Sequence, residues 1–329
     1  MSNIEWTDTT WNPVVGCTPV SPGCLNCYAA QLAGTRLANI PSQRESYAGL
    51  TVLRDGRQVF NGSVRCLPER LAEPLKWRKP RMVFVNSMSD LFHEAVPFEF
   101  IDRVFAVMAL CPQHTFQVLT KRPERMAEYM TDIGTHERVQ IAAQPYCKGR
   151  EFDLRTWPLP NVWLGTSVED QARADLRIPH LLRCPAAVRF LSCEPLLGPV
   201  DLSAFFGGKY VGLPGDVVHP NYNFGIHWCI IGGESGPNAR PCDVAWIRSI
   251  VRRCRDAGVP VFVKQLGAWP RELSAGNPPA PMPWVWDDGG EQIERWYKPR
   301  DRKGGEPSEW PEDLRVRQWP GAAQKGEVR

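Results

Sequence analysis

Between Met82 and Val263 the chain alternates short apolar runs with stretches of helical period. The runs Met82–Val85, His114–Leu119, Val162–Leu164, Val188–Leu191, Trp228–Ile231 and Val259–Val263 are rich in β-branched and aromatic residues and read as strands. Between them, Phe98–Leu110 and Val244–Arg255 repeat apolar residues at three- and four-residue spacing, which predicts amphipathic helices. Ahead of these, Ile4–Val15 reads as a first strand, and Tyr28–Ala38 as a helix that begins at or just after Cys27. Asp55-Gly56 and Asn61-Gly62 predict a small hairpin among the polar residues 41–67, and Pro68–Leu75 looks like a short helix. Residues 131–160 and 198–226 read as long loops. Alternating strands and helices imply a parallel sheet.

Each strand run ends in polar residues: Asn86–Asp90, Thr120–Arg122, Gly165–Asp170, Ser192–Pro195, Gly232–Gly236 and Lys264–Gln265. In a β/α barrel such ends converge on one mouth, whereas a doubly wound sheet gathers ligands only at its switch point. The pattern therefore predicts an α/β chain, a partial or irregular (β/α) barrel of about six to seven parallel strands. Any single ending serves equally well as a turn or a helix cap. The barrel is expected over residues 1–267. After Gly267 the composition turns to Trp and Pro, at Trp269, Pro278–Pro281, Trp284, Trp286, Trp296, Trp310 and Trp319. This predicts a C-terminal extension, 268–329, packed on the barrel, with Glu312–Arg317 as an ordered piece.

Cys17, Cys24 and Cys27 fall within eleven residues, and the Pro- and Gly-rich segment between the first two can fold the third thiolate back toward the pair. Three protein ligands leave a coordination position open, which suits chemistry. The competing reading is a structural zinc site completed by a distant ligand, for which His93 is the candidate. The other cysteines, in an odd total of eleven scattered through core-like segments, do not resemble a secreted disulfide framework. The N-terminus lacks a signal-like pattern and no apolar run is long enough to cross a bilayer, so a cytoplasmic protein without membrane partners is expected. Thirty-nine basic against 36 acidic residues give +3, too small a bias to argue for nucleic acid by itself. Local clusters at Leu75–Arg81, Arg248–Arg255 and Lys298–Lys303, with Trp77, Trp246 and Trp296 among or beside them, suit phosphates and bases, or are solvated surface. Lys121, Arg122 and Lys264 bring positive charge to the strand ends, either for a carboxylate or phosphate or to pair with Glu169, Glu194 and Glu234.

Glu5–Asp8 with Trp11–Pro13, the triplet with Cys27–Ala29, Leu164–Asp170, Ser192–Pro199, Gly232–Gly236 and Pro311–Arg317 carry a likeness that covers nearly the whole chain. They resemble the phage-borne three-Cys-motif proteins, a family similar to radical S-adenosylmethionine enzymes. The resemblance implies a radical-SAM-like barrel and a 4Fe-4S cluster on Cys17, Cys24 and Cys27 that binds S-adenosylmethionine at its fourth iron. It also implies an electron donor and reductive cleavage of that cofactor. The substrate expected is a nucleic acid, a nucleotide or another phage or host molecule, engaged together with a genomically neighbouring partner protein.

The converging strand ends place Asn86, Ser87, Asp90, Ser167, Glu194, Gly232, Gly233, Glu234, Ser235 and Lys264 around the cofactor that the resemblance implies, with Lys121, Glu169 and Glu194 as catalytic candidates, and the resemblance adds Tyr28 as a cofactor contact. The chain departs from the common radical-enzyme pattern in two places. Six residues instead of three separate Cys17 from Cys24, and Asn26 instead of an aromatic precedes Cys27, with Tyr28 following as a substitute. Asn86–Asp90 stands where a Gly-Gly-Glu commonly follows the second strand, and Gly232-Gly233-Glu234 comes several strands later. The alternative function is a non-catalytic phage protein, stabilised by zinc or an inert cluster, that binds DNA or a protein.

Overall fold

The strand-forming runs pair side by side because only a neighbouring strand satisfies their backbone once both faces are buried. The computed structural model describes residues 4–147, 152–206, 225–236, 238–274, 293–296 and 299–321. Within it, one sheet holds β1 (Thr9–Trp11), β2 (Met82–Val85), β3 (Thr115–Thr120), β4 (Val162–Ser167), β5 (Val188–Cys193), β6 (Trp228–Gly232) and β7 (Val261–Gln265), in that order. Every pairing described in it is parallel. Strand order follows chain order without reversal, unlike a doubly wound sheet, which reverses at its switch point. The chain is therefore mixed α/β with a seven-stranded parallel sheet, as the alternating pattern predicts.

The chain divides into two compact units. One holds the described residues up to Thr166 together with Arg177–Arg189, and the other holds Ser167–Leu176 and the described residues from Phe190 onward.

In the first unit the helices are α1 (Tyr28–Thr35), α2 (Pro41–Tyr47), α3 (Phe98–Ala109), α4 (Pro123–Thr131) and α5 (Thr135–Ala143). On α3, Ile101, Val104, Phe105 and Met108 make the buried stripe that the sequence period requires. Tyr129 of α4 sits among the rings of Phe92, Phe98 and Phe105, and its hydroxyl donates to Asp102 Oδ1 of α3 at 2.8 Å. Arg138 of α5 donates to the other Asp102 oxygen at 3.2 Å, so one carboxylate ties three helices together.

Three local expectations need correction here. The first strand is split at Asn12-Pro13: Thr9–Trp11 joins β2, while Val14–Val15 pairs antiparallel with Arg65–Cys66. Proline has no N–H for the ladder and changes the chain's partner. The segment 131–160 is not all loop, since α5 occupies Thr135–Ala143; only Thr135, Val139 and Ala143 are buried on it, a stripe too narrow to stand out as a period. Pro68–Leu75 is two single 3-10 turns, Pro68–Arg70 and Pro74–Lys76. The hairpin is where Asp55-Gly56 predicts it, between Thr51–Arg54 and Arg57–Phe60, with Asp55 and Gly56 at φ +48° and +73°. It is preceded by α2, which the polar composition hides.

α6 (Gln171–Arg183) follows β4. In the second unit, α7 (Val244–Asp256) starts at Asp243, whose carboxylate accepts the Ala245 N–H at 2.8 Å, and it buries Val244, Ile247, Ile250, Val251 and Cys254. The C-terminal residues cover the outer edge of β7: Val263 donates to Val316 O and Gln318 donates to Val261 O, while Trp310 and Leu314 are buried. Pro270–Ser274 pairs with Cys242–Asp243 and with Ile293–Trp296. Pro278–Pro281, Trp284, Trp286, Lys298 and residues 207–224 of the second loop lie outside the described residues. Among the described residues no helix is long and apolar enough to cross a membrane.

Candidate functional site

The chain reaches the cysteine loop through Gly16, at φ +87°, where a Cβ would stand 2.1 Å from Ser63 O; only glycine fits. Gly16 N donates to Met88 O and Gly62 N to Cys17 O, which fastens the start of the loop to the segment after β2 and to the hairpin's far end. Cys24 closes the 3-10 turn Pro22–Cys24, and Cys27 stands at the N-terminus of α1. None of the three thiols is in a disulfide, and all three are partly exposed as residues. Cys17 and Cys27 rest against the apolar cluster of Val15, Ala30, Leu50 and Met88.

Burial pushes the Cys17 thiol up to about 12, helped by the Asp90 carboxylate and opposed by Arg122, and the Cys27 and Cys24 sulfurs are close enough to add to it. Burial also pushes the Cys27 thiol up, against the pull of the Ala30 N–H and the Lys121 charge.

Beside the loop lies a buried polar cluster. Asp90 takes four hydrogen bonds: Oδ1 accepts from Thr120 Oγ1 at 2.7 Å and Phe92 N at 3.0 Å, and Oδ2 from Lys121 N at 2.9 Å and Arg122 Nη1 at 3.3 Å. It is therefore a bracket between the ends of β2 and β3, with its lone pairs already engaged by the protein. Arg122 also donates to Glu94 at 2.8 Å, to Thr18 O at 3.2 Å and to Cys17 Sγ at 3.8 Å.

His93 is buried, its Nδ1 accepts the Ala95 N–H at 3.0 Å, and so Nε2 carries the proton shared with Thr18 Oγ1 at 2.8 Å. Both ring nitrogens of His93, the candidate fourth ligand of the zinc reading, thus have protein hydrogen-bond partners. Asn86 follows β2 at φ +60°, 2 % exposed; its Oδ1 accepts the Val14 N–H, while the protein offers Nδ2 no acceptor among the described residues. Ser87 Oγ donates to Asn12 Oδ1, and the exposed Tyr28 donates its hydroxyl to Ser87 O at 2.7 Å.

The second unit carries its own cluster. Glu194 Oε1 lies 3.1 Å from Lys264 Nζ and Oε2 takes a long bond from Ser192 Oγ at 3.4 Å. Gly232 leaves room for that carboxylate, since a Cβ there would fall 2.5 Å from Oε1. Gly233 is held by Gln265, which accepts from its N–H and donates to its carbonyl. Glu234 is clamped by Arg240, whose Nε and backbone N both donate to Oε2 at 2.9 Å and whose Nη2 reaches Oε1 at 2.5 Å. Neither Arg240 nor its role shows in the strand-end pattern, because the partner closes a loop six residues on. Glu169 is fully buried and Ser167 nearly so, and Ser235 is half-buried after β6. Burial holds the Cys193 thiol well above its ordinary value, and Cys254, Glu194 and Glu169 push it further.

The sequence-predicted residues thus separate by unit: the cysteines, Tyr28, Asn86, Ser87, Asp90 and Lys121 in the first, Ser167, Glu169, Glu194, Gly232–Ser235 and Lys264 in the second.

Among the described residues no three Cys, His, Asp or Glu side chains converge on the point a single metal ion would occupy. Cys17, Cys24 and Cys27 are soft donors free of disulfides, which is what thiolate ligation of a metal ion or an iron-sulfur cluster requires.

The basic segments divide. Arg248 is bound to Glu272 and Asp313, Arg253 to Asp201, and Arg255 to Asp313 O, so α7 presents much less free charge than its sequence suggests. Lys76, Arg78 and Lys79 are exposed, next to Trp77 under the Arg81 guanidinium. They precede β2, and so stand at the opposite end of that strand from the cysteine loop.

A family model described as "Protein of unknown function (DUF5131)" matches residues 1–305. No curated protein and no solved structure matches the chain.

Proposed function

Because the chain belongs to the DUF5131 family of proteins of unknown function, we propose from its residues that it is a radical S-adenosylmethionine-type iron-sulfur enzyme, with a 4Fe-4S cluster on Cys17, Cys24 and Cys27. The observation that carries this reading is the loop itself: three thiols within eleven residues, free of disulfides, beside a histidine whose two ring nitrogens are already engaged. Three protein ligands leave one iron for a ligand that is not protein. The His93 bonds weigh against a zinc-stabilised binding protein. A radical-SAM-like barrel and a cytoplasmic location, where thiols stay reduced, belong to the same proposal.

When bound, such a cluster supplies reductive cleavage of S-adenosylmethionine and, through it, removal of a hydrogen atom from a substrate. The chain's own residues bind and orient. Asp90 holds Thr120–Arg122 against the cysteine loop, Asn86 offers a buried amide donor, and Ser87 anchors the Tyr28 hydroxyl. In the second unit Glu194 and Lys264 set a carboxylate and an ammonium side by side. Glu169 is a fully buried carboxylate suited to proton transfer. The substrate proposed is a nucleic acid or nucleotide, met through the exposed Lys76–Arg81 run, with a partner protein and an electron donor.

Anaerobic reconstitution tests the proposal. About four irons and four sulfides per chain are expected, together with 5′-deoxyadenosine and methionine from S-adenosylmethionine under dithionite. Stoichiometric zinc without labile sulfide, or metal content unchanged by alanine at all three cysteines, rejects it.

A further inference from the structure

We infer that Arg122 is a positioning residue of the cysteine site, whose guanidinium holds the Cys17 sulfur by an N–H···S bond and raises the reduction potential of the centre there. The inference rests on the cluster reading above and adds a residue to it.

The geometry is that of a built contact. Arg122 is 7 % exposed and enters at the end of β3, yet it grips the cysteine loop twice, at Cys17 Sγ (3.8 Å) and at the next carbonyl, Thr18 O (3.2 Å). The nitrogen that faces Cys17, Nη1, also donates to Asp90 Oδ2 at 3.3 Å, and Nε donates to Glu94 at 2.8 Å, so the two carboxylates fix the plane of the fork. Lys121, one residue earlier, brings a second positive charge that acts on Cys27. Three thiolates on a cluster core of charge +2 carry a net charge of −1, which becomes −2 when one electron is added. A cation in contact with one of those sulfurs stabilises the second state more than the first. Glu94 works against it from the solvent side, its side chain 67 % exposed.

The test is a mediated electrode titration of the reconstituted protein, with the reduced fraction read by electron paramagnetic resonance. Wild type, Arg122→Met, Arg122→Lys and Glu94→Gln are compared, and iron, sulfide and circular dichroism are measured on each. Arg122→Met should shift the one-electron equilibrium at least tenfold toward the oxidised form, a fall of about 59 mV. Arg122→Lys should fall between it and wild type. Glu94→Gln should move the potential upward, because it removes a negative charge without touching the loop. A merely structural arginine predicts loss of fold or loading with no shift in the potential of what remains. If Arg122→Met does not fold, Arg122→Lys decides: a potential below wild type supports the inference, and an unmoved or higher one overturns it. A wild type that takes up no iron and sulfide overturns the cluster reading and this inference with it, whereas a loaded wild type with unmoved variants overturns the inference alone.

Discussion

The Asp90 carboxylate and the Arg122 guanidinium meet at 3.3 Å with side chains 7 % and 6 % exposed, and this pair joins the end of β2 to the end of β3. Breaking a buried pair from one side leaves a charge without its partner and costs about 3–5 kcal/mol. Asp90→Asn should therefore lower stability by an amount in that range, measured by urea unfolding. It should also lower iron loading, since Thr120 and Lys121 lose the same bracket. A loss below about 1 kcal/mol would mean that the pair is not what holds the two strand ends.

Gly16 and Gly56 both have positive φ, yet only the first is enclosed. A Cβ at Gly16 meets Ser63 O at 2.1 Å, and at Gly56 it meets nothing within 4 Å. Gly56→Ala should cost about 1–2 kcal/mol, the ordinary penalty of left-handed backbone. Gly16→Ala should cost more and displace Cys17, visible as reduced metal uptake next to a normally loaded Gly56→Ala. Equal behaviour of the two variants would refute the account of the loop entry.

Asp102 connects stability to pH. Burial is the main cause that raises its carboxyl above the usual range, and the Tyr129 hydroxyl, then Arg138, pull it back. A carboxyl raised in the folded state contributes stability that is complete below its unfolded value, about 3.9, and is lost as pH climbs through the folded value. Tyr129→Phe removes the donor that favours the charged form, so it should extend that loss to higher pH. The expected cost is about 1.5–3 kcal/mol near neutrality, shrinking below about pH 4. Unfolding curves across a pH series check it, and a cost independent of pH would reject the coupling.

Glu194 and Lys264 form the partly buried pair of the second unit, with side chains 13 % and 22 % exposed. Lys264→Met leaves the carboxylate with Ser192 alone and should cost about 1–2 kcal/mol, less than a fully buried pair because water still reaches both groups. Adding Glu194→Gln should recover part of it, so a double-mutant cycle gives a coupling of about 1 kcal/mol or more. Additive stabilities would mean that the two side chains do not stabilise each other.

Lys76, Arg78 and Lys79 are the exposed cations proposed for phosphate contact. Replacing all three with serine should weaken binding to duplex or single-stranded nucleic acid and flatten the logarithmic salt slope by up to about 2.7 on duplex DNA. A slope unchanged by the substitutions places the contact elsewhere. No binding at low salt, with the cluster loaded, turns the proposal toward a protein or small-molecule substrate.

The strands were legible because each is a short apolar run closed by polar residues, and β2 spans the same four residues in sequence and structure. α3 and α7 were legible through wide buried stripes; α5 was not, because its stripe is a single residue across. The three cysteines were legible as a group since the loop between them is short, and the hairpin because Asp55-Gly56 permits the backbone that its turn requires. Such features depend on residues a few positions apart, where the sequence is the local structure. Which charge meets which depends on strand ends and loops brought together by folding. Arg122 reaches Asp90 across 32 residues and Cys17 across 105, and no local pattern encodes either pairing. The sequence alone determined that acids and bases would stand at the strand ends. Only the tertiary structure decided that Glu234 belongs to Arg240, Glu194 to Lys264 and Asp90 to Arg122, because hydrogen bonds select by distance in space and not by distance along the chain.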